Sequence, residues 1–175
     1  MPAPDTLLLG PTDIGGMFDR HARDLLRYAT HRVGEQAAED IVAQTFLAAY
    51  EQRNRYDPGR GDLLPWLYGI CNNLLRRHRR AELRRLRATA SLRPAENSGE
   101  PTADRIDAQR GVAQVAHVLA RLPRRQREVL LLFAIAELEY SEIAIALGIP
   151  LGSVQSSLHR ARTKIRAALS LEVRP

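Results

Sequence analysis

Cysteine is almost absent from this chain of 175 residues, because Cys71 is the only one. A single cysteine excludes an intramolecular disulfide and a cysteine-rich metal site. Cys71 follows Ile70 in a segment with helical periodicity, which predicts a small buried residue. The five histidines are scattered, and neither a His-Glu-x-x-His motif nor a glycine-rich phosphate loop is present. We therefore expect no enzymatic activity and no cofactor.

Aromatic residues make up only 5% of the chain, and no segment shows the Val/Ile/Thr alternation typical of β-strands. Leu, Ala and Arg, which favour helices, dominate instead. We predict an all-α protein. No apolar run is long enough to span a bilayer, and the apolar residues 7–9 are too short for a secretory signal. These absences predict a cytoplasmic protein without membrane insertion.

Positive charge is in excess, with 26 Lys and Arg against 20 Asp and Glu, a net charge of +6 and a pI of about 10.2. This balance favours a polyanionic partner such as nucleic acid, with a membrane surface as the rival. The excess is strongest in residues 70–93, which hold eight Arg and one acid, Glu82.

The C-terminal region predicts two helices joined by a tight turn. Ser141 suits a helix N-cap and Gly148 a helix end, and Pro150 precedes the second helix. One face of that helix is apolar, at Val154, Leu158, Ala161, Ile165 and Leu169. Its other face is polar and basic. This order predicts a DNA-binding helix-turn-helix, although a solvated helical hairpin is an alternative for the stretch alone.

The N-terminal region predicts three helices. The first begins at Asp13 and ends at Gly34, the second covers residues 37–53, and the third has Pro65 in its first turn after a loop at 54–62. The basic second half of the third helix suits nucleic acid, although a charge run is often only a solvated face.

Residues 94–107 are rich in Pro, Ser, Gly and acids and poor in apolar residues, so we place a flexible linker at 92–110. It would join two small helical bundles, 13–91 and 111–171. In the second bundle, a helix ending before Pro123 precedes another at about 124–138.

Four stretches resemble bacterial sigma factors of the extracytoplasmic-function type. They are Glu39-Asp-Ile-Val-Ala-Gln-Thr-Phe46, Pro65-Trp-Leu-Tyr-Gly-Ile-Cys-Asn-Asn-Leu-Leu-Arg-Arg77, Leu122-Pro-Arg-Arg-Gln-Arg-Glu-Val-Leu-Leu131 and the segment from Glu142-Ile-Ala to Arg162. The resemblance implies a promoter-specificity subunit that binds core RNA polymerase and promoter DNA. It also implies an anti-sigma partner.

The resemblance assigns roles to individual residues. Contacts to the coiled coil of the largest polymerase subunit would come from Asp40, Gln44, Phe46 and Leu47. The −10 element, with a flipped base, would be held by Tyr56, Asp57 and Asn73, and its phosphates by Arg76, Arg77 and Arg80. The −35 element would be bound by Arg124, Ser153, Gln155, Ser156, Arg160 and Lys164.

Two departures from the family pattern affect these expectations. Gln155 and Ser157 stand where the family usually has cations, which predicts weaker −35 binding and an altered base preference. Ala43-Gln44 replaces the usual Gln-Glu and removes one charge from the docking helix. The alternatives are a helix-turn-helix regulator that does not join polymerase, and a sigma-like adaptor with weakened −35 recognition.

Overall fold

The computed structural model describes residues 13–90 and 117–170, and every regular element within them is helical. The helices of the N-terminal bundle are α1 (Ile14–Val33), α2 (Glu35–Glu51) and α3 (Leu63–Ala90). The C-terminal bundle contains helical residues 117–121, α4 (Arg124–Ala134), α5 (Tyr140–Leu147) and α6 (Leu151–Ser170). The all-α prediction with two bundles is confirmed. The predicted linker at 92–110 lies wholly outside the described residues, and the bundle limits stay predictions.

Local signals set most helix ends where they were expected. The Asp13 carboxylate accepts a hydrogen bond from the Gly16 N–H at 3.0 Å and caps α1. Gly34, with φ of 83°, ends α1, and Gly148, with φ of 62° and ψ of 40°, ends α5. Because the chain turns at Gly34 alone, α2 begins at Glu35, two residues earlier than predicted.

The predicted N-cap at Ser141 is wrong. The helix α5 begins at Tyr140, and Glu139 is its cap residue. The Glu142 carboxylate accepts a hydrogen bond from the Glu139 N–H at 2.7 Å, as in a capping box, so the helix starts before Ser141 and includes it in its first turn.

A buried polar network joins α1 to α3 inside the N-terminal bundle. The Tyr28 hydroxyl donates to Asn72 Oδ1 at 3.3 Å, and Arg32 Nη1 donates to the same two oxygens at 2.7 and 3.1 Å. Since Asn72 is 1% exposed, its side chain fixes helix packing and does not face a ligand.

The C-terminal bundle buries the apolar stripe predicted for α6 through Val154, Leu158 and Ala161. Two polar residues of this helix also pack inward. Ser157 is 5% exposed, and the Arg162 guanidinium lies 4.8 Å from the Phe133 ring centre. A cation at residue 157 would therefore lie on the packed face of α6. Of the two residues that replace the usual cations, only Gln155 changes the outer face of this helix.

The two bundles pack directly on each other through α5 and α3. One buried cluster includes Leu67 and Leu75 of α3 together with Val129 of α4 and Ile143 of α5. At the centre of this contact, a Cβ on Gly69 would lie 2.7 Å from the Ala146 carbonyl oxygen. Only glycine at residue 69 allows this approach of the two helices.

Replacing Leu25 with alanine should lower the free energy of unfolding by about 2–5 kcal/mol, because Leu25 is fully buried and the change leaves a cavity. Urea denaturation followed by circular dichroism measures this. The matched control is Leu86→Ala in α3, where the side chain is 59% exposed and the change should stay within about 0.5 kcal/mol. Equal losses in both variants would contradict the assigned core.

Burial raises the pKa of the Cys71 thiol to about 11. In the unfolded chain a thiol ionises at a pH of roughly 8.5. Between these values the unfolded state releases a proton that the folded state retains, so the free energy of unfolding should fall as pH rises. Urea titrations at pH 8 and 10.5 should show wild type losing on the order of 2 kcal/mol more than Cys71→Ala. Equal losses of unfolding free energy in the two proteins would contradict the raised pKa of Cys71.

Candidate nucleic-acid interface

The loop between α2 and α3 carries an ordered aromatic pair. The Tyr56 ring lies 5.3 Å from the Trp66 ring, and its hydroxyl donates to the Gly61 carbonyl at 3.2 Å. The Asp57 carboxylate accepts from the Gly59 N–H at 2.9 Å, which closes a tight turn. Burial raises the pKa of Tyr56, and nearby Asp62 and Asp57 raise it further, so its hydroxyl stays a hydrogen-bond donor. The loop thus offers an aromatic surface and a fixed carboxylate.

An open cleft of about 650 Å³ lies beside this loop. Tyr56, Asp57 and Trp66 form its N-terminal side, whereas Ile145 and Gly148 of the helix-turn-helix form the other. An aromatic surface with neighbouring polar groups suits the stacking of a flat base. The structure brings Tyr56 and Asp57 together as predicted, but it also places the C-terminal bundle across the same cleft.

The next turns of α3 carry amide and guanidinium groups. Asn73 is exposed, and its Oδ1 accepts from Arg76 Nη1 at 3.1 Å. Arg77 and Arg80 are exposed and point away from the buried face. This part of α3 can offer hydrogen bonds to bases and positive charge to phosphates, as its sequence suggested.

Arg76 departs from its predicted role as a phosphate contact. Its Nε donates to Glu128 Oε1 and its Nη2 to Glu128 Oε2, both at 2.7 Å. These hydrogen bonds raise the pKa of Arg76, while Glu128 is only 2% exposed. In this conformation two guanidinium nitrogens of Arg76 bind the Glu128 carboxylate of α4, so the guanidinium is not available to DNA.

The outer face of α6 has the composition of a recognition helix. Gln155, Arg160 and Lys164 are exposed, so their donors are accessible. Ser153 and Ser156 are half-buried, and the Ser156 hydroxyl donates to the Ser153 carbonyl at 3.3 Å.

Arg124 is the one predicted DNA contact of α4. Its side chain is 61% exposed at the first turn of α4, with its Nε 3.9 Å from Glu128 Oε1. The positive charge of Arg124 is therefore exposed to solvent.

The predicted polymerase-docking residues separate into two groups. Asp40, Gln44 and Leu47 are exposed on one face of α2, and Leu47 is 55% exposed despite being apolar. Phe46 was predicted to contact polymerase, but it is 3% exposed and packs 5.1 Å from the Phe18 ring. Phe46 precedes the exposed Leu47 in sequence but lies on the inward face of α2, where it packs this helix against α1.

Sequence reasoning missed Glu128 and Gly69. Glu128 lies four residues before the buried Leu132, so helical spacing places this acid on the inward face. A buried carboxylate needs a cationic partner, so the inward position of Glu128 could have indicated an ion pair. Gly69 interrupts a helix-forming run, a sign of close backbone approach, but its partner was not visible in the sequence.

Comparisons with known proteins match both bundles. Residues 17–85 match Sigma-70 region 2, and residues 113–165 match Sigma-70, region 4. The sigma factor NccH of Alcaligenes xylosoxydans xylosoxydans is 33% identical over 89% of this chain and 86% of its own. SigL of Mycobacterium tuberculosis, an extracytoplasmic-function sigma factor, is 31% identical over 87% of this chain and 86% of its own. The chain belongs to the extracytoplasmic-function sigma factors.

A solved sigma factor shares the fold. The structure of CnrH in complex with the cytosolic domain of CnrY has a TM-score of 0.64 and 28% identity, covering 91% of this chain and 88% of that chain. As a sigma factor, the protein binds core RNA polymerase and directs transcription initiation at specific promoters. Region 2 in the N-terminal bundle disfavours a regulator that does not join polymerase, and the sigma factor relatives do not favour an adaptor.

Within residues 13–90 and 117–170, no group of three or more His, Cys, Asp or Glu is arranged to hold a metal ion. Among the described helices, none is long and apolar enough to cross a membrane.

Proposed function

We propose that this sigma factor recognises the −10 element with the loop and first turns of α3. Tyr56 and Asp57 border the cleft that takes a flipped base, Asn73 contacts base edges, and Arg77 and Arg80 bind phosphates. The supporting observation is the ordered Tyr56–Trp66 pair together with the exposed Asn73 and the exposed arginines that follow Trp66 on the same helix. A base pocket offsets the few kcal/mol that unstacking costs. Arg76 joins this surface when its bond to Glu128 is broken.

The −35 element is bound by α6 in the major groove. Gln155 and Arg160 have exposed side chains that suit adenine and guanine edges respectively. Lys164, Arg124, Ser153 and Ser156 position the helix on the backbone. The unusual Gln155 shifts base preference and removes one phosphate contact, which lowers the salt dependence of binding by about one unit.

Polymerase docks on α2 through Asp40, Gln44 and Leu47. These residues are spaced by four and three positions and lie on one exposed face. Their target is the coiled coil of the largest subunit.

An anti-sigma factor is the further partner. CnrH, which shares 28% identity with this chain, is described in complex with the cytosolic domain of CnrY. A protein of that kind would regulate this sigma factor in the cytoplasm. The sigma factor itself catalyses no reaction, because its work is recognition and DNA opening.

Run-off transcription with core polymerase on a promoter library tests the DNA sites. Asn73→Ala and Arg160→Ala should each reduce specific transcripts about tenfold, because each removes a contact to base edges worth roughly 1–3 kcal/mol. Arg23→Ala, an exposed charge on α1, is the matched control and should transcribe as wild type. Unchanged transcripts in both test variants would refute the site assignment.

Leu47→Arg should abolish retention of the protein by immobilised core polymerase, because it places a charge on the apolar part of the docking face. Pull-down at about 0.1 M salt, with DNA absent, measures this. Leu86→Arg, at a similarly exposed leucine of α3, should be retained normally. If Leu47→Arg is retained as well as this control, α2 does not dock polymerase.

A further inference from the structure

The inward face of α3 continues beyond the N-terminal bundle. Positions 72, 75, 79, 83 and 86 recur at spacings of three and four residues, so they share one side of this helix. Asn72 and Leu75 are buried on that side within the bundle. From residue 79 to residue 89, however, every side chain is exposed. About three turns of α3 therefore extend past the helices that cover its first half.

The exposed part of this face carries two large apolar side chains. Leu83 is 43% exposed and Leu86 is 59% exposed. They are three residues apart and correspond to neighbouring a and d positions of a seven-residue repeat. Such a pair lies on one side of a helix and can pack against a second helix. We refer to Leu83 and Leu86 as the leucine face.

Positive charge surrounds the leucine face. Arg80 and Arg87 are exposed and occupy the flanking e positions of the same repeat. Arg79 lies one turn before Leu83 on the same side of α3. Burial, and then the charge of Arg79, lower the pKa of Arg127 in α4, so two guanidinium groups lie close together at the start of the leucine face. A segment that docks here gains from these cations only if it is acidic.

The same charges weaken the exposed turns of α3 when they have no partner. Arg80 and Arg84 are four residues apart, and Arg84 and Arg87 are three apart. Like charges at these spacings destabilise a helix. The exposed turns are also shorter than the roughly 12–15 residues that an isolated helix needs to be stable in water. An acidic partner with apolar side chains would neutralise the repulsion and cover the two leucines.

DNA and a membrane surface fit the leucine face less well than a protein helix does. The groups proposed for DNA lie on a different side of α3, at Asn73, Arg77 and Arg80. Phosphates also offer no apolar surface to the leucines. A helix that lies in a membrane surface carries a broad apolar face with bulky side chains, whereas two leucines form a narrow one.

We propose that the exposed end of α3 is a docking site for an acidic, amphipathic helix of a partner protein. Apolar side chains of that helix pack on Leu83 and Leu86, and its carboxylates pair with Arg80 and Arg87. The proposal does not rest on the promoter and polymerase contacts assigned above, because the leucine face takes part in neither.

The probe is a fluorescein-labelled synthetic peptide of three heptads, with Leu at a and d and Glu at e and g, whose anisotropy is measured with the full chain at about 0.1 M salt. Its twin carries Lys in place of Glu. We expect the Glu peptide to bind wild type at least about tenfold more tightly than the Lys twin, because cations flank the leucine face. Hydrogen exchange of amides 80–89 should slow by about the same factor in the complex, since docking stabilises turns that otherwise fray.

Two pairs of variants compare equal changes on and off the proposed site. Replacing Leu83 and Leu86 together with serine should weaken peptide binding at least about tenfold. Leu151→Ser, at a leucine of α6 that is 47% exposed, should leave it unchanged. Arg87→Glu should weaken binding about tenfold, whereas Arg85→Glu, on the opposite side of α3, should change it less than about threefold because of screening. All these residues are exposed, so circular dichroism should show an intact fold.

Unchanged peptide binding in the leucine variant and in Arg87→Glu would overturn the proposal. Loss of binding on Leu47→Ser would also overturn it, because the peptide would then occupy the exposed face of α2. Two further outcomes would replace the partner helix with another occupant. Binding of wild type to phosphatidylglycerol vesicles, but not to the peptide, would assign the leucine face to a membrane surface. Peptide binding that appears only after Val112→Ser and Val115→Ser would assign it to a segment of this chain.

Discussion

Contact between α5 and α3 is the constraint on which the arrangement of the whole molecule depends. It brings a backbone carbonyl to the surface of another helix at Gly69, and this approach aligns Glu128 with Arg76. Each bundle has its own buried residues, but the contact between α5 and α3 joins them into one cluster. This contact and the Arg76–Glu128 pair together set the relative position of the two bundles.

Two arginines of this strongly basic chain are held by internal partners. Inside the N-terminal bundle, Arg32 of α1 donates to a tyrosine hydroxyl and an amide, and across the contact between the bundles Arg76 of α3 donates to the Glu128 carboxylate. Arginines farther along α3 remain exposed and retain their charge for solvent or phosphate. This helix therefore packs against other elements through its first half and presents exposed arginines in its second.

Only some residues at the proposed sites could be placed from sequence. Tyr56 and Asp57 were placed in one loop from sequence, and the structure adds that the Tyr56 ring lies against Trp66, ten residues farther along the chain. Phe46 and Arg76 were misplaced. Helical spacing shows that neighbouring residues lie on different faces, but it does not show which face another element covers. Ser141 was misassigned because a capping interaction between Glu139 and Glu142 starts the helix two residues earlier.

The sequence by itself determined the properties that depend on near neighbours. The helices, the turns at Gly34 and Gly148, the scarcity of reactive groups and the exposed face of α6 all follow from residues a few positions apart, whose spacing and conformational preference are local. Tertiary structure alone decided that Glu128 pairs with Arg76 across 52 residues and that Gly69 meets Ala146. Such contacts depend on how two separately formed bundles fit, and shape complementarity between distant segments leaves no periodic signal in the chain.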